Sequence, residues 1–175
     1  MTRKTDLRIH WLQLRKSIPS ERREEAAVKL YSYLKDQFKG PILSFASFGS
    51  EIDTRRLNNH LAEIEALLLP RVEGTELQPY YVKNLKSDLT LSKWGMLEPK
   101  PELCQKASLQ DIETILVPAL AFDSLQFRLG YGQGHYDRLL PKLTCLSIGL
   151  AFLEQKTDML PHDPWDIPLQ KVLYF

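Results

Sequence analysis

Long apolar runs are missing from this sequence. Nowhere does it reach the roughly 18 consecutive apolar residues that a bilayer span requires. Its first residues carry Arg3, Lys4, Asp6 and Arg8 rather than the apolar centre of a secretion signal. A membrane partner is excluded on this reading, and a cytoplasmic location is expected. Cysteine is scarce too. Cys104 and Cys145 lie far apart with no His/Cys cluster around them, which argues against structural zinc, fits a reducing compartment and leaves both as small buried apolar residues. Charge of one sign is absent: 23 basic against 22 acidic residues give a net charge of +1. That balance is too near neutral for a protein held to nucleic acid by backbone charge. Low-complexity tracts are missing as well, so 175 residues with 43% hydrophobic content suit one compact domain over residues 1–175. Glycine numbers only eight, which gives weight to where three of them fall.

Those three lie in the stretch Ile115 to Leu140, ILVPALAFDSLQFRLGYGQGHYDRLL. Ile115, Leu116 and Val117 before Pro118 read as a buried strand. Gly130, Gly132 and Gly134 then alternate just ahead of a helical segment running from Tyr136 to Leu140. Glycines at alternate positions allow positive φ and close backbone approach, so successive N–H groups can converge on an anion. A following helix N-terminus adds to that attraction. The same glycine spacing also occurs in tight turns that bind nothing, and its neighbours decide between the two. Arg128 and Arg138 supply guanidinium forks for phosphate oxygens, and Asp137 supplies a hard oxygen ligand for magnesium. The Lys-Ser/Thr pair of a Walker A loop is missing, and no Gly-x-Gly-x-x-Gly register fits, so an ordinary P-loop or dinucleotide fingerprint is excluded.

The rest of the chain alternates helical and extended patterns. Leu7, Trp11, Leu14 and Ile18 form a helical stripe ending near Pro19, with Lys4 and Arg8 together on another face, suited to gripping polyphosphate or to plain solvation. A second helix is expected from Ser20 as N-cap, with Ala27, Leu30, Tyr31, Leu34 and Phe38 facing the core before Gly40-Pro41. Strands are expected at 41–48, 66–70, 79–82, 115–117, 144–150 and 171–174, with an irregular polar stretch at 83–106. Glu51 follows a strand end, where open α/β sheets bind their ligands. Trp94, beside Gly95, suits either packing or a flat wall for a bicyclic ring. The whole reads as a three-layer α/β/α domain with a mostly parallel sheet.

Two strings carry a family resemblance. Pro118-Ala119-Leu120-Ala121-Phe122-Asp123, followed by Arg128-Leu129-Gly130-Tyr131-Gly132-Gln133-Gly134-His135-Tyr136-Asp137-Arg138, resembles the signature of the 5-formyltetrahydrofolate cyclo-ligases, also called 5,10-methenyltetrahydrofolate synthetases. Family members usually carry Gly or Lys at the Gln133 position and an aromatic at the His135 position. The resemblance implies a layered sheet like that of phosphosugar isomerases and coenzyme A transferases. It also implies an ATP- and magnesium-dependent conversion of 5-formyltetrahydrofolate to 5,10-methenyltetrahydrofolate, with release of ADP and phosphate.

By the same resemblance Lys4, Arg8, Arg128, Arg138 and the loop backbone Gly130, Gly132, Gln133, Gly134 and Tyr136 hold ATP. Glu51 and Trp94 hold the folate, Tyr131 and His135 face its formyl end, and Arg128, Tyr131 and His135 form the catalytic group. Asp137 and Asp166 are the implied magnesium ligands. The partner is a small molecule, 5-formyltetrahydrofolate with or without a polyglutamate tail, and a monomer is expected. Two other readings stay open at this point: a non-catalytic nucleotide-binding relative, and an ATP-independent enzyme of the phosphosugar isomerase or coenzyme A transferase kind.

Overall fold

The structure, a computed structural model, describes residues 3–38 and 40–175. Helix α1 (Lys4–Ser17) buries Trp11 and gives way at Ile18, whose extended ψ of 124° is what a following proline favours. Helix α2 (Ser20–Leu34) starts without the expected serine cap. Pro19 takes the N-cap place and its carbonyl accepts the first helical bond, from Arg23 N–H at 3.0 Å. Its buried stripe is Ala26, Ala27, Leu30 and Leu34, with Tyr31 and Phe38 packed at its margin.

The chain continues through β1 (Ile42–Leu43), α3 (Arg55–Glu63), β2 (Leu67–Glu73), β3 (Glu76–Tyr81), β4 (Leu89–Leu91) and β5 (Leu97–Pro99). After these come β6 (Thr114–Val117), β7 (Ala121–Phe122), β8 (Arg128–Leu129), α4 (His135–Leu139), β9 (Leu146–Ala151) and β10 (Lys171–Tyr174). The main sheet runs β10-β9-β6-β1-β2-β3. Five of its strands are parallel, and only the edge strand β3 is antiparallel.

Both faces of this sheet are covered, which explains why its strands read as unbroken apolar runs. Ile42, Leu67, Leu69, Leu116, Ile148 and Leu150 point to the side where α2 and α3 place Leu30, Leu34, Leu57 and Leu61. Their neighbours Leu43, Leu68, Ile115 and Val117 point to the opposite side. The helical layer expected there is thin. It consists of the five-residue α4, the 3-10 turns at Leu109–Asp111 and Leu140–Lys142, and tail residues such as Ile167 and Leu169.

Several strand limits differ from the sequence reading. The strand expected at 41–48 keeps its ladder only at β1, because the chain then leaves the sheet and Phe45, Ala46 and Phe48 line a cavity. β2 runs through Pro70 and Arg71 instead of stopping at the proline. Pro70 faces Pro79 across the β2–β3 pair, where neither residue has an N–H to offer, and β1 has already ended beside it. The turn joining β2 to β3 is Gly74-Thr75, with Gly74 at φ 63°. The polar stretch 83–106 contains the β4–β5 hairpin, with Trp94 at its tip.

Helix α2 buries Ala26, Ala27, Leu30 and Leu34 against the sheet. Leu30→Ala at this fully buried site is expected to cost about 2–5 kcal/mol. Urea unfolding monitored by circular dichroism measures this, with the folded spectrum retained in the absence of denaturant.

Candidate functional site

A cavity of about 520 Å³ opens beyond the carboxyl ends of β1 and β6, where Phe45, Ala46, Phe48 and Pro118 follow the strands, and beside Pro70 and Val72 of β2. This is where parallel α/β sheets receive ligands, and the size falls in the range of small-molecule sites. Four further pieces close it: the loop Arg128–Asp137, the first turns of α1 with Lys4 and Arg8, the β4–β5 hairpin, and the tail at Asp163, Trp165 and Asp166.

One wall is apolar. Phe45, Phe48, Val72, Leu77, Trp94, Met96 and Leu97 line it, and Trp94 remains 50% exposed at the hairpin tip. The other wall is charged. Lys4 Nζ lies 2.6 Å from both Asp163 Oδ2 and Asp166 Oδ2. Burial alone would lower the Lys4 ammonium, but hydrogen bonds and charge from the two aspartates outweigh it and hold the pKa above its usual value. Asp166 moves the opposite way: burial would raise it, and the bonds from Lys4 and the Asp163 N–H bring it below the ordinary carboxylate range. Arg128, with its side chain 5% exposed, bonds the Ile167 carbonyl at 2.9 Å and Asp137 Oδ1. Burial lowers the Arg128 guanidinium despite the charge of Asp137, although an arginine stays protonated regardless.

The glycine loop has a division of labour that its spacing did not reveal. Gly132 at φ 97° sits where an added Cβ would approach Arg8 Cζ to 3.2 Å. Gly134 at φ 67° is the N-cap of α4, and a Cβ there would meet an Arg138 nitrogen at 2.8 Å. Gly130 has neither a positive φ nor a crowded Cβ position; its carbonyl instead accepts from Arg8 Nε at 2.9 Å. With five residues, α4 adds little dipole to the loop's own N–H groups.

The structure brings Lys4, Arg8, Glu51, Trp94, Arg128, Gly130, Tyr131, Gly132, Gln133, Gly134, His135, Tyr136, Asp137 and Asp166 to this one cavity. Arg138 stands outside it. Its guanidinium turns back to the Thr75 carbonyl at 2.7 and 3.0 Å and to the Gln133 carbonyl at 2.9 Å, bracing the loop against the β2–β3 turn. His135 Nδ1 also lies 3.2 Å from the Thr75 oxygen. Tyr131 and Glu51 touch, hydroxyl to Oε1, at 3.3 Å. Burial raises the Glu51 carboxyl, opposed by the Phe48 N–H and by the charge of Arg15.

Sequence reasoning missed Arg15, Asp163 and Trp165. Arg15 follows Trp11 by four residues, so it shares the buried side of α1, and that spacing was a usable signal. Asp163 stands three residues before Asp166, and no local pattern marks either as facing Lys4. Trp165, 69% exposed at the cavity rim, looked like any tail residue.

Among the described residues no group of three or more His, Cys, Asp or Glu side chains is placed to hold a metal. Magnesium does not need one, since it binds through one or two carboxylates, waters and substrate phosphates. The cavity's charges fit that mode. Of the five carboxylates that line the cavity, Glu98 pairs with Arg71 at 3.7 Å and Glu51 feels the charge of Arg15, which leaves Asp137, Asp163 and Asp166 beside Lys4, Arg8 and Arg128, so a bare polyphosphate would compete with carboxylates for those cations. Asp137 and Asp166 offer the hard oxygens such an ion requires.

An α/β fold with a charged, loop-lined wall facing an apolar one suits an enzyme that handles a phosphorylated ligand beside a flat one. The family model for the 5-formyltetrahydrofolate cyclo-ligase family matches residues 1–175. A 5-formyltetrahydrofolate cyclo-ligase of Mycolicibacterium smegmatis is 31% identical over 179 residues, covering 97% of this chain and 92% of that protein. One from Escherichia coli is 29% identical over 175 residues, covering 92% and 94%. The solution structure of Aquifex aeolicus 5,10-methenyltetrahydrofolate synthetase superposes with a TM-score of 0.86 at 32% identity, covering 97% of this chain and 88% of that one. A synthetase from Mycoplasma pneumoniae shares the fold, with a TM-score of 0.74 at 24% identity and 98% of each chain covered. This chain belongs to the 5-formyltetrahydrofolate cyclo-ligase family.

Gly132→Ala forces a Cβ into positive-φ backbone and against Arg8, strain of about 1–3 kcal/mol. If the loop cradles phosphate, nucleotide affinity measured by calorimetry falls about 10-fold or more while Gly130→Ala, with open space around it, has a smaller effect.

Proposed function

We propose that this protein is an ATP-dependent ligase that converts 5-formyltetrahydrofolate to 5,10-methenyltetrahydrofolate, releasing ADP and phosphate. The observation that carries this reading is the divided cavity, with cations and a glycine loop on one wall and aromatic and aliphatic side chains on the other. A triphosphate suits the first wall and a bicyclic ring the second.

The chemical obstacle is that a formamide oxygen is a poor leaving group. Transfer of the γ-phosphoryl group to that oxygen breaks the bond to ADP and leaves an electrophilic formyl carbon. The neighbouring folate nitrogen then attacks that carbon, loses its proton, and expels the oxygen as phosphate. Little covalent work falls to the protein, which aligns two substrates and neutralises spreading negative charge. Lys4, Arg8, Arg128 and the N–H groups between Gly130 and Tyr136 take the phosphates. Glu51 and Trp94 take the folate ring, and Tyr131 and His135 face the formyl group. Asp137 and Asp166 would hold magnesium, which offsets phosphate charge when bound. Their present partners, Arg128 and Lys4, would then be free to turn to the nucleotide.

Arg138 enters this reading as a brace for the loop rather than as a phosphate contact, since the Thr75 and Gln133 carbonyls already occupy it. We read the chain as one cyclo-ligase domain over residues 1–175, acting as a cytoplasmic monomer. No helix among the described residues is long and apolar enough to cross a membrane.

The appearance of methenyltetrahydrofolate absorbance tests the reading. Turnover is expected only with ATP and magnesium together. Product without ATP would favour the isomerase or transferase kind of enzyme, and nucleotide binding without product a non-catalytic relative. Lys4→Ala is expected to raise the KM for ATP about 10- to 100-fold with the fold intact, as loss of a charged phosphate contact should. Asp137→Asn should raise the magnesium concentration needed for half-maximal rate; an unaltered titration removes Asp137 from the metal site.

A further inference from the structure

We propose that Arg15 is a positioning residue for the folate: from its buried place on α1 it aims the Tyr131 hydroxyl at Glu51 and so ties the folate wall to the helix that carries the nucleotide cations. This rests on the cyclo-ligase reading of the cavity.

Arg15 is 1% exposed and does not line the cavity itself. Its three bonds all go to neutral partners: Ser50 Oγ at 3.0 Å, the Ala119 carbonyl at 3.0 Å, and the Tyr131 hydroxyl. A guanidinium taken out of water is strongly disfavoured unless an anion answers its charge. The adjacent side chain makes matters worse, since Arg23 donates to the Arg15 carbonyl and brings a second cation alongside. The answering anion stands one step further on. Tyr131 Oη lies 3.3 Å from Glu51 Oε1, and the other Glu51 oxygen accepts from the Phe48 N–H at 2.9 Å.

The hydrogen bonding in this relay has one direction. Arginine has only donors, so the Tyr131 oxygen must accept from it, and the phenolic hydrogen is left for Glu51. The arginine cation is therefore coupled to the glutamate through a hydroxyl that also faces the substrate. Fixing both partners in one geometry is what a folate ring needs if its donors are to meet Glu51 while its formyl group meets Tyr131.

Electrostatics gives the relay a signature. Burial raises the Glu51 carboxyl, while the Phe48 N–H, the Arg15 charge and the Tyr131 hydroxyl draw it down. The titratable groups facing Glu51 are Arg15 from α1, Tyr131 from the loop and Tyr136 from α4; burial keeps both phenols protonated at neutral pH. Arg15 is the cation of that set, so its loss moves Glu51 further up and makes it protonate at higher pH.

A role confined to fastening α1 onto the segments after β1 and β6 predicts none of this, and three single variants with one double variant separate the two. In Arg15→Met the KM for 5-formyltetrahydrofolate should rise about 10- to 100-fold, as for loss of a charge-assisted bond. The KM for ATP should stay within about twofold, and the acidic limb of kcat/KM should shift to higher pH. Arg15→Lys keeps the charge and should return the acidic limb toward the parent while recovering only part of the KM. Tyr131→Phe removes a single hydroxyl from a residue that is 44% exposed, so it keeps the question answerable even where Arg15→Met fails to fold. It should reproduce the KM rise and the limb shift, and the double variant should be no worse than the more damaging single one. Both KM values rising together with a lowered Tm and an unmoved acidic limb would overturn the proposal, as would a Tyr131→Phe variant that behaves like the parent. Parent protein that neither binds nor turns over 5-formyltetrahydrofolate would overturn the cyclo-ligase reading along with it; turnover by the parent with insensitive variants removes the Arg15 role alone.

Discussion

Helix α1 lies across the carboxyl ends of the parallel strands, and the ion pairs and hydrogen bonds that hold it there make the cavity possible. Trp11, with Leu7 and Leu14 at its margin, packs on Leu120, Ala121, Leu129 and Leu160, which anchors the helix without filling the space beside it. Lys4 then reaches the tail at Asp163 and Asp166, Arg8 the glycine loop at Gly130, and Arg15 the segments after β1 and β6 at Ser50 and Ala119. Four stretches distant in sequence are gathered by one helix. Gln155, itself buried, meets the same Ala119 carbonyl from the other side and holds Leu120 as well, so the turn after β6 is fixed from two directions.

The charge pattern around that helix makes a second point. Two of the three cations on the phosphate wall have acidic companions, Lys4 its two aspartates and Arg128 its Asp137, while Arg8 bonds the Gly130 carbonyl. Such pairing keeps buried charges tolerable when no ligand is present. It also means that a polyphosphate entering alone would compete with carboxylates for the same cations, whereas one entering with a divalent ion offers each partner a replacement. Binding of a divalent ion in that way would not depend on a preformed metal cage.

Much of the sheet was legible from the chain alone, because strands buried on both faces show as short apolar runs such as Ile115-Leu116-Val117. What was misplaced has local causes. Pro70 looked like the end of a strand and is tolerated inside one because it faces another proline. Gly74-Thr75 is a two-residue hairpin whose glycine was visible but went unused, and 83–106 hid a hairpin of only three residues a side. The cavity's glycine loop and its cations stood out because chemistry of that kind is concentrated in sequence. Arg15, Asp163 and Trp165 did not, since their importance comes from residues distant in sequence, such as Tyr131 for Arg15 and Lys4 for Asp163, and only the folded chain brings those together.

The central claim is that one cavity, roofed by α1, takes a nucleotide and a folate side by side. A crystal structure with a non-hydrolysable ATP analogue, magnesium and 5-formyltetrahydrofolate tests it most directly. The account predicts the phosphates between Lys4, Arg8 and the Gly130–Tyr136 backbone, with the folate ring against Trp94 and Met96 and within reach of Glu51. Triphosphate bound elsewhere, or the glycine loop closed on its own neighbours with both ligands absent from the cavity, would contradict it.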